Sequence, residues 1–337
     1  MLVGSQTWEF KRPPTILSTG TVGGPFEAKG QLTAYFDQLY DDIRCGQKTF
    51  EQANQIMLET ACNLAINKSD IPKEQVQFLI AGDLTNQMTP TNFAASTLQI
   101  PFIGTFNACA TSMESLALAA NLIDSGAASS ILTGASSHNA AAERQFRYPT
   151  EYGAQKPDSA QWTVTGAGVG LISNTGNGPK ITSATLGKVI DMNMTDPFNM
   201  GGAMAPAAMD TITIHLKDRG IDASYYDAII TGDLAKVGRS ILLDLAKEQN
   251  ITLREDTLLD CGLMIYKDDQ KVFAGGSGAG CSAVVTYGYV INQLKQKKWN
   301  RLLIVATGAL LSPLSVQQKQ SIPCIAHAVS IENEVKS

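Results

Sequence analysis

The stretch GTFNACATSMESLALAANLIDSG, from Gly104 to Gly126, sets one cysteine, Cys109, just before an apolar helical run. A helix N-terminus presents unpaired amides and the positive end of the dipole, and both favour an anion. That places two chemistries at Cys109: a thiol lowered toward a nucleophilic thiolate, or a cradle for a ligand carboxylate. The alternative is a small thiol filling core space, the common fate of free cysteine. Thr111 to Glu114 spell T-x-x-E, which predicts a capping box with Thr111 at the N-cap and Cys109 just outside the first turn. Acyl transfer by a thiolate also needs a base or partner cation and donors for the thioester oxygen, and these must come from elsewhere in the chain.

The three histidines, His138, His215 and His327, are far apart and show no paired ligand spacing, so no structural transition-metal site is expected. His138 follows the end of a strand-like run, where ligands commonly sit. His215 lies in helix-like TITIHLKDRG at a surface or packed position, and His327 in the late strand IPCIAHAVSIE. Cysteines 45, 62, 109, 261, 281 and 324 form no CxxC or framework pattern, which points to a reducing compartment.

The elements that must position these residues repeat. VQFLI at Val76–Ile80 closes with AGDL, and YDAII at Tyr226–Ile230 closes with TGDL, each a short buried strand leading into a helix. Downstream, a helix at Met113–Ile123 precedes the strand SSILTGAS, and a helix at Ser282–Lys297 precedes RLLIVATGAL. This is the rhythm of a parallel sheet with crossover helices, in two related α/β halves, 1–178 and 179–337, divided near SNTGNGPK. Residues 137–162 read as an excursion, a lid, pocket wall or subunit contact, with Phe146, Tyr148, Tyr152 and Trp162 as its aromatics.

With 337 residues, the chain can bury a large core, and a net charge of -5 argues against nucleic acid. The N-terminal MLVGSQTWEFKRPP lacks the pattern of a secretory signal, and no run approaches the roughly 18 apolar residues of a membrane span, so any membrane attachment is expected to be peripheral, through a partner.

FNACATSMESLALAANLIDSGAASSILTGAS at Phe106–Ser136 resembles the nucleophile segment of the thiolase and ketoacyl synthase superfamily, especially its ketoacyl synthase III-like branch. WTVTGAGVGLIS and AGGSGAGCSAVVTYG resemble two further segments, GDGAGA and GNTSAAS, and the likeness runs from Val76 to Gly308. The resemblance implies a duplicated five-layer αβαβα fold and a homodimer, with Cys109 in the acyl-carrying position. It also exposes two vacancies. The synthase histidine falls in TGDLAKVG, at Gly232 or Asp233, and the synthase asparagine falls at Gly276 in GGS. An aspartate cannot polarise a carbonyl as a histidine does.

TWEFKRPPTILSTGTVGGPFE at Thr7–Glu27 and the TGDLAKVGR turn narrow the likeness to a thiolase-like sporulation family of spore-forming Firmicutes. That resemblance implies a soluble component that works with stage V sporulation A membrane proteins at the cytoplasmic side of the forespore inner membrane, moving dipicolinic acid into the forespore. It implies that the old catalytic pocket binds dipicolinate, alone or as its calcium complex. Cys109, His138, Asp233, Gly276 and Ser277 are the expected ligand residues. Helix amides, the glycine-rich AGGSGAG and the Ser277 hydroxyl suit a planar dianion, Tyr148, Tyr152 and Trp162 could stack on its ring, and Asp233 gains a role if calcium accompanies it. The competing readings are a cysteine-dependent acyltransferase, which needs a pantetheine-length channel, and a subunit that only organises partners.

Overall fold

Two sets of five strands carry the fold of the computed structural model, which describes residues 1–146 and 156–333. The first set is β1 (Thr15–Gly23), β2 (Phe78–Gly82), β3 (Phe102–Gly104), β4 (Ser130–Ser137) and β5 (Gly166–Ser173). The second is β6 (Lys180–Leu186), β7 (Ala228–Thr231), β8 (Leu258–Asp260), β9 (Arg301–Ala309) and β10 (Cys324–Glu332). In space they run β3-β2-β4-β5-β1 and β8-β7-β9-β10-β6, the same order strand for strand, joined at the pair Thr15 and Lys180.

β2 lies parallel to β3 and β4, and β7 to β8 and β9, as crossover connections require. β5 and β10 run antiparallel to both neighbours, so the sheets are mixed where the sequence suggested parallel ones. Direction is not written in such runs, because GAGVGLIS is buried throughout and reads alike in either sense. β2 and β7 each start two residues later than predicted. Val76 and Tyr226 close short turns first, donating to Lys73 O at 3.0 Å and Ala223 O at 3.3 Å.

Helix α1 (Phe50–Asn67) lies on β1 and β5 with α2 (Thr89–Leu98) beside it, and α5 (Met200–Arg219) lies on β9 and β10 against α6 (Ala235–Glu248). Helix α3 (Thr111–Ser125) touches strands of both sets. Its Met113, Leu116 and Ile123 are buried, each worth about 1.5–3 kcal/mol of apolar transfer. The predicted helix at Ser282–Lys297 starts earlier, as Ala279–Val284, and widens into a π-helix at Val285–Val290 before resuming at Ile291–Lys295. His215 takes the packed alternative, with its ring between Thr185 Oγ1 at 2.7 Å and Tyr226 Oη at 2.6 Å. Among the described residues no helix is long and apolar enough to cross a membrane.

Candidate ligand site at Cys109

Cys109 sits in a single 3-10 turn, Ala108–Ala110, that runs directly into α3. The predicted capping box does not form. Ala110 already has helical backbone angles, so Thr111 is a helical residue, and its hydroxyl turns back to Ala108 O at 2.8 Å while accepting from Asn107 N at 3.1 Å. Ala108 carries φ 49°, a left-handed conformation that costs a residue with a β-carbon about 1–2 kcal/mol. Such strain persists where the surroundings over-determine a turn, and here the turn aims Cys109.

β9 holds that turn from below. A β-carbon on Gly308 would stand 2.4 Å from Asn107 O and 3.1 Å from Ala110 N. Gly308→Ala is therefore expected to lower stability by about 2 kcal/mol in urea unfolding, whereas an unchanged midpoint would mean that the turn yields freely.

Asp233, in the turn after β7, organises what faces Cys109. Its Oδ2 accepts from Ser277 Oγ at 2.9 Å and Gly278 N at 3.0 Å, and its Oδ1 from Thr307 Oγ1 at 2.8 Å. Ser277 Oγ lies 3.9 Å from Cys109 Sγ, and the Asp233 carboxylate is close enough to act electrostatically on the thiol. Cys109, Asp233 and Ser277 are all buried. Asp233 does not cap α6, because Asp260 does, taking Leu234 N at 2.8 Å, Ala235 N at 3.1 Å and the Thr231 hydroxyl at 2.6 Å.

The electrostatics reverse the expectation of a lowered thiol. Burial first, and the nearby Asp233 charge second, hold Cys109 well above the ordinary thiol range. The helix dipole is outweighed by burial and, after it, by the neighbouring carboxyl, so at neutral pH the group is a thiol. Burial likewise raises the Asp233 carboxyl, against the pull of its donors, and pushes Asp260 up to about 6.

Gly276 forms a two-residue parallel pairing with Trp162, as Ser277 does with Thr163. A β-carbon there would meet Ile265 Cγ2 at 3.0 Å and Tyr266 Cε2 at 3.2 Å, so the space an asparagine side chain would need is occupied. His138 is turned elsewhere: Nε2 faces Ile43 O at 2.8 Å, the ring lies 5.3 Å from Phe50, and burial lowers its pKa. His327 comes nearer the turn, with Nε2 3.4 Å from Asn107 Nδ2 and Nδ1 accepting from Gly187 N at 3.3 Å. Burial pushes it down to about 4, which makes it a neutral ring.

Of the excursion, Ser137 belongs to β4, α4 covers Asn139–Phe146, and Trp162 packs 4.9 Å from the Phe26 ring. Tyr148 and Tyr152 lie outside the described residues. Leu84, Ala142 and Phe146 cluster with Cys109. Their chain neighbours Thr85, Ala141 and Gln145 line a cavity of about 250 Å³ together with Arg144 and Glu51, which form an ion pair. Sequence reasoning missed Thr307 and Asp260. The only signal for either was its place at the end of an apolar strand.

A family model described as Stage V sporulation protein AD matches residues 4–332. The chain is 53% identical over 333 residues to the protein of that name from Bacillus subtilis (strain 168), covering 98% of both. Among solved structures, 3-oxoacyl-[acyl-carrier-protein] synthase III from Aquifex aeolicus aligns with TM-score 0.61 at 15% identity, over 95% of this chain and 99% of that one. Human mitochondrial 3-ketoacyl-CoA thiolase aligns with TM-score 0.57 at 12% identity, over 97% and 99% of the two chains. At such identities these structures speak for the fold alone, which is thiolase-like and mixed α/β. On its family match and its curated relative, the chain belongs to the stage V sporulation protein AD family.

Proposed function

We infer that this chain is a catalytically silent, dipicolinate-binding component of sporulation, using the degenerate thiolase-like pocket at Cys109. One observation carries the reading: Asp233, in the turn where the resemblance puts the synthase histidine at Gly232 or Asp233, clamps Ser277 beside a protonated cysteine. A carboxylate there disfavours the negative charge that builds on a thioester oxygen during acyl transfer. The same carboxylate disfavours a bare dianion, so the ligand that fits is charge-compensated, as calcium dipicolinate is. A ligand carboxylate that took the Ser277 hydroxyl would leave Asp233 Oδ2 with Gly278 N as its remaining donor, and that oxygen would be the protein's contact to a calcium carried in with the ligand. Cys109 and the backbone at Gly276 complete the wall of the proposed site.

The repeated strand order supports duplicated halves divided at 178 and 179, and α3, which touches strands of both sets while α1 and α5 each pack on one, supports the five-layer arrangement. β3 ends its sheet, and Phe93, Ile103 and Phe106 stand exposed beside it, which supports a homodimer across that edge. Family membership supports work alongside stage V sporulation A membrane proteins at the cytoplasmic side of the forespore inner membrane.

Mass spectrometry after incubation with acetyl-CoA tests the silent cysteine. Cys109 is expected to remain unmodified, and an acetyl adduct on it would return the protein to the cysteine-dependent acyltransferases.

A further inference from the structure

Glu27 is a fully buried carboxyl on the short turn Glu27–Lys29. Oε1 accepts from Thr165 N at 3.1 Å and from the Tyr266 hydroxyl, while Oε2 has no hydrogen-bond partner. The rings of Trp162 and Tyr266 lie 4.9 and 5.3 Å from Phe26, the residue before it. The turn is fastened across the two strand sets, with Gln31 N donating to Ile265 O at 3.0 Å and Gln270 Nε2 to Phe26 O at 2.9 Å.

No ionised group among the described residues stands against Glu27 to balance a charge on it. Tyr266 is a neutral hydroxyl backed by the buried Cys281 thiol. Lys29 on the same turn and Lys267, Asp268 and Asp269 on the loop after Tyr266 are exposed to solvent. Lys156 lies 5.5 Å from the Trp162 ring and pairs with Glu143 at 2.8 Å. The segment Trp162–Thr165 brings no ionisable side chain.

Both partners of Glu27 lead to Ser277. Thr165 ends the segment zipped to Gly275–Ser277, in which Trp162 N donates to Gly275 O and Val164 N to Ser277 O, each at 2.9 Å. The Tyr266 ring fills the space beneath Gly276, 3.2 Å from where its β-carbon would stand. We propose that Glu27 is a positioning residue for the Cys109 site, a carboxyl latch whose protonated, buried state keeps Ser277 seated and whose ionised state opens the turn that carries it.

Burial pushes the Glu27 carboxyl up to about 7 from an ordinary 4.5. The closed form therefore holds its proton more tightly than an open form with Glu27 in water, and opening becomes easier as pH rises through that window, levelling off above 7.

The test uses full-length protein retaining Trp162 alone, with Trp8 and Trp299 replaced by Phe, and follows acrylamide quenching from pH 5.5 to 8. The quenching rate is expected to rise severalfold with a midpoint near 7 and to stay flat in Glu27→Gln, which keeps the acceptor for Tyr266 and Thr165 but cannot ionise. An equal rise in Glu27→Gln, or no rise in either protein, would overturn the latch. A second arm rests on the dipicolinate reading: the association rate of calcium dipicolinate should climb roughly 10- to 30-fold over the same range, and not in Glu27→Gln. A Trp162 quenching rate that titrates, with no dipicolinate binding at any pH, would remove the ligand and leave the latch standing. Dipicolinate binding with a quenching rate that does not titrate would do the reverse.

Discussion

Replacing Asp233 with alanine should lower folding stability by about 3 kcal/mol, while Asp233→Asn should cost about 1 kcal/mol. The alanine strips the acceptor from Ser277 Oγ, Gly278 N and Thr307 Oγ1 at once, all in a buried site. Each orphaned donor costs about 1–3 kcal/mol, partly offset by no longer burying a carboxylate. Asparagine keeps the shape and one acceptor oxygen, and a rotated hydroxyl can accept from its amide. The two variants should agree in a second respect. With the Asp233 charge gone, Cys109 loses one of the causes that hold its thiol high, so alkylation of Cys109 at fixed pH should speed up in both. Urea unfolding and adduct mapping by mass spectrometry read the two effects. Equal stability of Asp233→Ala and wild type would show that Ser277 and Thr307 do not depend on the carboxylate.

Glu27→Gln should stabilise the protein by about 3 kcal/mol at pH 8 and by almost nothing at pH 4. The folded-state pKa is raised from 4.5 to about 7 by burial. Between those values the folded state binds more protons than the unfolded state, so wild-type stability is full below about 4.5 and falls as pH rises to about 7. Glutamine pays no such penalty and preserves Oε1 as the acceptor for Tyr266 and Thr165. Denaturant midpoints at the two pH values check the sign. A gain of the same size at pH 4 would assign the effect to side-chain shape rather than to charge.

The repeat of AGDL and TGDL was legible, and the structure shows why the two copies differ in use. Asp83 spends its oxygens locally, on the amides and hydroxyls of Thr85 and Thr91. Asp233 receives Ser277 from 44 residues away and Thr307 from 74. Sequence spacing announces the first kind of partner and is silent on the second. For the same reason Cys109, Asp233 and Ser277 could be named, but not the direction of the thiol shift, which depends on the carboxylate folding against it. The T-x-x-E signal misled because a capping box needs an extended residue at the cap, and the strained turn at Ala108 delivers Thr111 already helical. Nothing in the spacing around Glu27, at the end of a glycine-rich stretch, marks a buried acid, and only the packing of residues 160–165 and Tyr266 against it makes it one.

Calorimetric titration of the purified protein with dipicolinate, with and without calcium and beside picolinate and acetyl-CoA, addresses the ligand most directly. Saturable binding of dipicolinate, tighter with calcium, weakened by Ser277→Ala and absent for acetyl-CoA, is the predicted result. Absence of dipicolinate binding together with tight acetyl-CoA binding would contradict it and make the Cys109 pocket that of an acyltransferase.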